Sequence, residues 1–426
     1  MAGERLSGWE EIGAYLRRSA RTVQRWEKEL GLPVRRVETK GGVVIYAEHG
    51  ELDEWLRTRD PAERADEAVA PSVIELPQPR PRVAAGLSRS RIAWAGGIVA
   101  LASALSLLLW PREARMLSRI EIAGEILTAV DQHGAELWKH RFPTSLTPPG
   151  SEDPSTQALI TDIDGDGQAE VLLTTHGRAM FERFYCFNAH GKILFEEPPL
   201  SAKQYGEEIH SPPFLTRIMY PVPEASGRKA IWLASAHHLN FPSPVRKLDS
   251  AGNLLGEYWS NGTVMTLQTM TLNGRRVLLV GACNNELWGA SLAVLDYDHP
   301  AGSAPAVNNN YRCKDCPAGT PLDFIVFPRM QLSRDTGSRP FVRRIVEQSH
   351  SEFTVEVWQG QRPARDGHRT DAMFQYSFDQ SLRLLKAGWG DGYETIREIY
   401  PAYQRQEKLA ILRWNGHGFT EEVLKP

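Results

Sequence analysis

Cysteine is scarce in this chain of 426 residues: there are four, Cys186, Cys283, Cys313 and Cys316, and none precedes Cys186. A zinc knuckle built on two cysteine pairs is thereby excluded, because Cys313 and Cys316 have no second pair to answer them. A redox dithiol normally opens a helix; here Pro317, Gly319 and Pro321 follow at once, so Cys313 and Cys316 read as a local disulfide. Absent too are a G-x-S-x-G elbow, a P-loop, a kinase signature and a carboxylate pair with a supporting base, which leaves no signpost of an enzyme. An excess of one charge is also missing. The formal net charge of −3 averages over unlike segments and says little about partners.

One stretch lacks charge altogether. Ile92–Trp110, IAWAGGIVALASALSLLLW, holds no Asp, Glu, Lys or Arg, and a helix needs about 20 apolar residues to cross the hydrocarbon layer with its backbone satisfied. Residues 92–110 are therefore expected to be a single transmembrane helix. Arg80, Arg82, Arg89 and Arg91 precede it and Arg112, Arg115 and Arg119 follow, a small bias toward a cytoplasmic N-terminus. Ala95, Gly96, Gly97 and Ala100 are small enough to let two such helices approach, as a homodimer would require. With all four cysteines beyond it, the far side suits an oxidising compartment.

With 42% hydrophobic residues, the length allows more than one core. Residues 60–91, rich in Pro, Ala and Arg, read as a linker. Residues 1–59 read as a small domain. Ser7 and Glu10 have capping-box spacing, and Trp9, Ile12, Tyr15 and Leu16 share one helical face. Ser19 can cap a second helix carrying Val23, Trp26 and Leu30, which Gly31-Leu32-Pro33 ends. Val34–Val37 and Val43–Tyr46 then flank a glycine-bearing turn, a hairpin, and Leu52, Trp55 and Leu56 suggest a third helix.

The segment EEIGAYLRRSARTVQRWEKELGLPVRR leading into that hairpin resembles the winged helix-turn-helix of the MerR and excisionase group. The resemblance implies that the second helix enters the major groove of double-stranded DNA and that the hairpin is a wing. Arg18, Arg21, Thr22, Gln24 and Arg25 would then face DNA, with Arg35, Arg36 and Lys40 on or near the wing. Arg and Gln supply forked donors for base edges, and Lys and Thr suit phosphate oxygens.

Beyond Arg119 the pattern is short strands and turns. Thr161–Glu170 reads TDIDGDGQAE. Counted from Asp162, carboxylates fall at relative positions one, three, five and nine, with a glycine at six and a backbone carbonyl at seven, an oxygen set suited to Ca²⁺. Leu173 stands where an EF-hand carries its last glutamate, and the flanks are strand-like. The loop resembles the DxDxDG loop of FG-GAP and VCBS propeller repeats, whose Ca²⁺ pins a hairpin. Asp162, Asp164, Asp166 and Glu170 are the expected side-chain ligands, with Gln168 supplying its backbone oxygen.

Strand-turn-strand units recur around Ser226-Gly227, Asn273-Gly274, Thr336-Gly337 and Arg405-Gln406. Between them lie hairpins of the form D/N-x-x-G-x-x-L: Asp131 to Trp138, Asn188 to Phe195, Asp249 to Gly256, and a looser Asp379 to Leu385. Their spacing is that of propeller blades. The expected fold class is multidomain: a small α+β winged helix-turn-helix, one transmembrane α-helix, and over 111–426 an all-β propeller of about five or six blades, closed by a hairpin from Ile122 to Phe142. The function this implies is a membrane-anchored one-component transcriptional regulator, with an extracytoplasmic sensor and a DNA-binding head at a bacterial-type inner membrane. The alternative is an anchored, Ca²⁺-stabilised binding or adhesion protein whose head holds a protein; a propeller enzyme is a third reading without a catalytic set.

Overall fold

The computed structural model describes residues 5–16, 23, 27, 32–39, 42–52, 55, 115–148, 156–176, 183–238, 240–365, 367–404 and 410–423. The chain divides into two compact units, Met1–Trp110 and Pro111–Pro426.

In the smaller unit, Gly42–Glu48 is the central strand of a three-stranded antiparallel sheet, flanked by Arg35–Thr39 and Arg5–Ser7. The helix Gly8–Tyr15 follows the first strand directly, with Gly8 at φ +83 making the transition. Ile12, Leu16, Val23, Leu32, Ala47 and Leu52 form the buried core, with Trp9, Ile45 and Trp55 packed against it. The Arg35–Glu48 hairpin occurs where β-branched residues call for it. The strand Arg5–Ser7 was not expected, since Ser7 read as a helix cap.

The larger unit is built of antiparallel sheets in chain order. The first holds Leu117–Ala123, Ile126–Asp131 and Glu136–Arg141; the second Gln157–Thr161, Glu170–Thr174, Phe184–Phe187 and Ile193–Glu197. The third runs Phe214–Pro223, Lys229–His237, Ser243–Leu248 and Leu254–Ser260, with Ala301–Ser303 added in parallel at its edge. The fourth runs Val264–Leu272, Arg275–Asn284, Gly289–Asp296 and Asp323–Phe327, and is extended by Ala410–Trp414 and Phe419–Val423. The fifth holds Phe341–Ser349, Glu352–Pro363, Arg369–Asp379 and Leu384–Trp389.

Consecutive sheets pack face to face, and side-chain alternation sorts residues between neighbours. In the second sheet Val171, Leu173, Tyr185 and Phe187 face the first sheet's Leu127, Ala129 and Trp138. Leu172, Phe184 and Cys186 face the third sheet's Ile231, Leu233 and Leu248. Trp232 and Ala234 point the other way, to Leu278, Val280 and Val326 of the fourth, whose opposite face carries Leu279, Leu292 and Phe327 onto Val355, Phe374 and Tyr376 of the fifth. Strands such as Lys229–His237 are thus covered on both faces, which is why they read as unbroken apolar runs rather than as alternation. Each fully buried Leu or Ile there contributes about 1.5–3 kcal/mol.

Four of the sheets close with one turn. Asp131 Oδ1 accepts the amides of His133 (2.9 Å) and Ala135 (2.8 Å); Asn188 those of His190 and Lys192; Asp249 those of Ala251 and Asn253; Asp379 those of Ser381 and Arg383. The fourth residue of each turn is left-handed: Gly134, Gly191 and Gly252, and in the last turn Leu382 at φ +61. In the fourth sheet the equivalent connection is replaced by the excursion between Asp296 and Asp323 that carries the Cys313–Cys316 disulfide.

The expected fold class is overturned. The described residues are mostly β. No helix-turn-helix is found among the described residues, whose one head helix with described bounds, Gly8–Tyr15, lies on a three-stranded sheet; residues 19–30, the expected reading helix, fall outside them apart from Val23 and Glu27. No helix among the described residues is long and apolar enough to cross a membrane; residues 92–110 and the linker 60–91 lie outside them. The strand units expected as five or six blades are, among the described residues, five sheets of unequal size, with three to six strands each. The hairpin meant to close the ring belongs to a separate three-stranded sheet that packs on the second, and no apolar cluster of described residues joins it to the fifth. The turn expected around Thr336-Gly337 is the end of a helix, Gln331–Thr336; the turn expected around Arg405-Gln406 lies outside the described residues.

Candidate functional site

The acidic loop joins strands Gln157–Thr161 and Glu170–Thr174, which pair from Thr161↔Glu170 to Gln157↔Thr174. Its shape follows from its residues. Gly165 and Gly167 take φ +80 and +85, conformations open to glycine, and the carboxylates cap the amides this exposes. Asp162 accepts from Gly165 N (2.7 Å) and Gly167 N (3.0 Å), Asp164 from Asp166 N (3.1 Å), and Asp166 from Gln168 N (2.7 Å). Asp162, Asp164 and Asp166 thereby bring ligand oxygens within 4.8 Å of one another. Oxygens bound to Ca²⁺ at 2.3–2.6 Å lie at most about 5 Å apart, so these three fit a hard cation. Ionised carboxylates retain lone pairs beyond those the amides use.

Glu170 departs from expectation. It is 2% exposed and lies outside the group of three; its Oε2 accepts the Ile163 amide at 2.8 Å. Burial pushes its carboxyl above the ordinary carboxylate range, opposed by the Ile163 hydrogen bond and reinforced by the three aspartates. It acts as the brace of the loop. Gln168 contributes an amide to Asp166.

The loop is also latched to the third sheet. Ile163 is fully buried between the sheets, its carbonyl accepts Lys229 N at 2.8 Å, and Lys229 Nζ donates to Thr161 Oγ1 at 2.6 Å. Gly165 packs on the turn at Gly227 so closely that an added Cβ would meet the Gly227 carbonyl at 3.1 Å. Nothing in the DxDxDG spacing announces this second contact.

Of the residues expected at DNA, Arg18, Arg21, Thr22, Gln24, Arg25 and Lys40 lie outside the described residues. Arg35 and Arg36 are described and exposed, and both are engaged: Arg35 pairs with Glu51, and Arg36 with Glu27 at 2.7 Å. Both guanidinium groups of the expected wing are thus held by ion pairs within the chain.

Cys313 and Cys316 form a disulfide, Cα–Cα 5.7 Å, packed with Leu200 against Tyr205, Phe214 and Trp259. Beside it His210 and His237 are buried, with ring centroids 5.3 Å apart, and His238 lies 4.0 Å from His237. Burial holds both His210 and His237 below the ordinary histidine range. A charge network around Tyr297 was not foreseen. Lys247 donates to the Tyr297 carbonyl at 2.9 Å with its ammonium 3.9 Å from the Tyr297 ring centroid, and Arg276, paired with Glu224, covers the same ring. Burial moves the Lys247 ammonium downward.

No protein-family model matches the chain, and no curated protein does. Among solved structures, one described as the structure of the Dos1 propeller is similar over 71% of this chain and 74% of its own, at 6% identity and a TM-score of 0.30. So loose a superposition carries no argument about function.

Proposed function

We propose that this chain is a ligand-responsive regulator that acts by binding rather than by catalysis. Residues 111–426 are the receptor unit, braced by Ca²⁺ on Asp162, Asp164 and Asp166; the smaller unit meets double-stranded DNA. The apolar run 92–110 holds the chain at a bacterial-type inner membrane with the receptor unit outside, and pairing of two copies conveys occupancy. The observation that carries the receptor half is the latch: a loop whose three carboxylates suit a hard cation is tied to the next sheet through Ile163, Thr161 and Gly165. A metal that orders the loop therefore braces sheet packing. Supporting the two-part division, the unit boundary at Trp110 coincides with the end of the uncharged run.

The engagement of Arg35 and Arg36 by glutamates favours a second reading, an anchored Ca²⁺-braced binding protein whose smaller unit holds a protein. Gel retardation of a genomic fragment pool by the full chain at low salt separates the two. Retarded bands that weaken steeply with salt support the regulator; none at any salt leaves the second. For the metal, melting with Ca²⁺ and with chelator is the test, since an ion preferring the folded state raises its stability. Identical curves would sink the brace.

A further inference from the structure

The turn between strands Arg275–Asn284 and Gly289–Asp296 holds Trp288 at φ +56, in the left-handed region, with 47% of its surface exposed. A large aromatic residue is disfavoured there, and a turn shaped for stability alone would place Gly or Asn at such a position. Two guanidinium groups stand over its ring, Arg339 at 4.5 Å and Arg329 at 5.4 Å from the centroid. They come from either side of helix Gln331–Thr336.

Each arginine is fixed by neutral acceptors only. Arg339 Nη1 donates to Asn285 Oδ1 and Arg329 Nη2 to the Ser333 carbonyl, both at 2.9 Å. Arg329 Nε is buried and has no acceptor among the described residues. Neither arginine meets a carboxylate among the described residues, although the chain has 52 acidic residues. Stacking and one-edge hydrogen bonding order each fork in advance, and its remaining N–H groups match a carboxylate in two-point geometry.

We infer that Trp288, Arg329 and Arg339 form a recognition site for a ligand bearing carboxylates, and for a dicarboxylate above all, because two forks share one ring. The site is separate from the metal loop and does not depend on it. Two sources supply this chemistry, a free dicarboxylate and a uronate polysaccharide. The indole orders the forks and offers its exposed edge to the ligand's apolar part.

The test is calorimetric titration of the full chain, in metal-free buffer at low ionic strength, with glutarate and with polygalacturonate. Saturable binding of either probe is expected; glutarate alone identifies a free ligand, and the polymer alone or far tighter identifies the polysaccharide. Arg329→Gln and Arg339→Gln should each weaken binding at least tenfold. Lys386→Gln, the same charge change at an exposed strand position, should leave it unchanged. Trp288→Gly relieves the left-handed backbone, so it should hold or raise the melting temperature while weakening binding tenfold; a merely structural tryptophan would lower the melting temperature and spare affinity. Failure of both probes to bind, or equal affinity in the R329Q R339Q double variant, overturns the site.

Discussion

Alanine at Gly134, Gly191 and Gly252 puts one perturbation into three copies of one turn, and the surroundings predict unequal costs. All three glycines are left-handed, at φ +80, +81 and +87, so a Cβ costs about 1–2 kcal/mol in each from backbone crowding alone. At Gly134 the nearest atom to that Cβ is Arg119 Nη2 at 3.8 Å, an ordinary contact with a flexible tip. At Gly191 the Cβ would stand 2.7 Å from Trp138 Cδ2, and at Gly252 2.5 Å from Phe195 Cγ. These rings belong to the preceding sheets' last strands and are packed; displacing one adds about 1–3 kcal/mol. Gly134→Ala should therefore cost about 1–2 kcal/mol, and the other two about 2–5 kcal/mol. At about 2.1 cal/mol/K of unfolding entropy per residue, 1 kcal/mol moves the melting temperature of the larger unit by roughly 1.5 °C. Calorimetric melting of the full chain should thus place G134A about 2 °C below the parent and G252A about 3–7 °C below it. Urea midpoints should keep that order at constant slope. Equal losses in all three would refute the role given to the aromatic lids, and no loss in any would refute the left-handed turns.

At a free Ca²⁺ concentration a hundred times the dissociation constant, the chain should gain about 2.7 kcal/mol over the chelated form, and Asp164→Asn should erase most of that difference in a melting experiment. For pH, the sign follows from the buried histidines: His210, which faces Glu208 and His238, and His237 are held below the ordinary range when folded. The unfolded chain therefore takes up protons first as pH falls below about 6.5. Melting temperature should drop from pH 7 downward and level off below the folded values, and His210→Gln should flatten that slope. The thiols give a labelling test. Burial pushes Cys186 up to about 12 and Cys283 up to about 11, so an alkylating reagent at pH 8 should modify neither in the native chain and both after unfolding; rapid native labelling of either would contradict the sheet packing around it.

What the sequence made legible is what short-range chemistry decides. The D/N-x-x-G turns could be found because their carboxylate or amide, their left-handed glycine and their flanking strands all lie within eight residues; the fourth copy, with Leu382 for glycine, read as looser for that reason. The acidic loop was legible on the same grounds, since Asp162, Asp164 and Asp166 are convergent by local geometry, and Cys313 and Cys316 could pair because only two residues separate them. Contacts across sheets were not legible. Glu170 carries the same carboxyl as its neighbours, yet the strand pairing Thr161↔Glu170 turns it inward to hold Ile163, and no spacing rule distinguishes a brace from a ligand. The extra strands have the same cause. Ala410–Trp414 joins the fourth sheet beside Asp323–Phe327 across more than eighty residues of chain, so a count of local hairpins does not reveal how many strands each sheet holds. Trp288 shows the limit most plainly: its sequence neighbours, Leu287 and Gly289, mark an ordinary turn, and the two arginines that give the ring its chemistry arrive from about forty and fifty residues downstream.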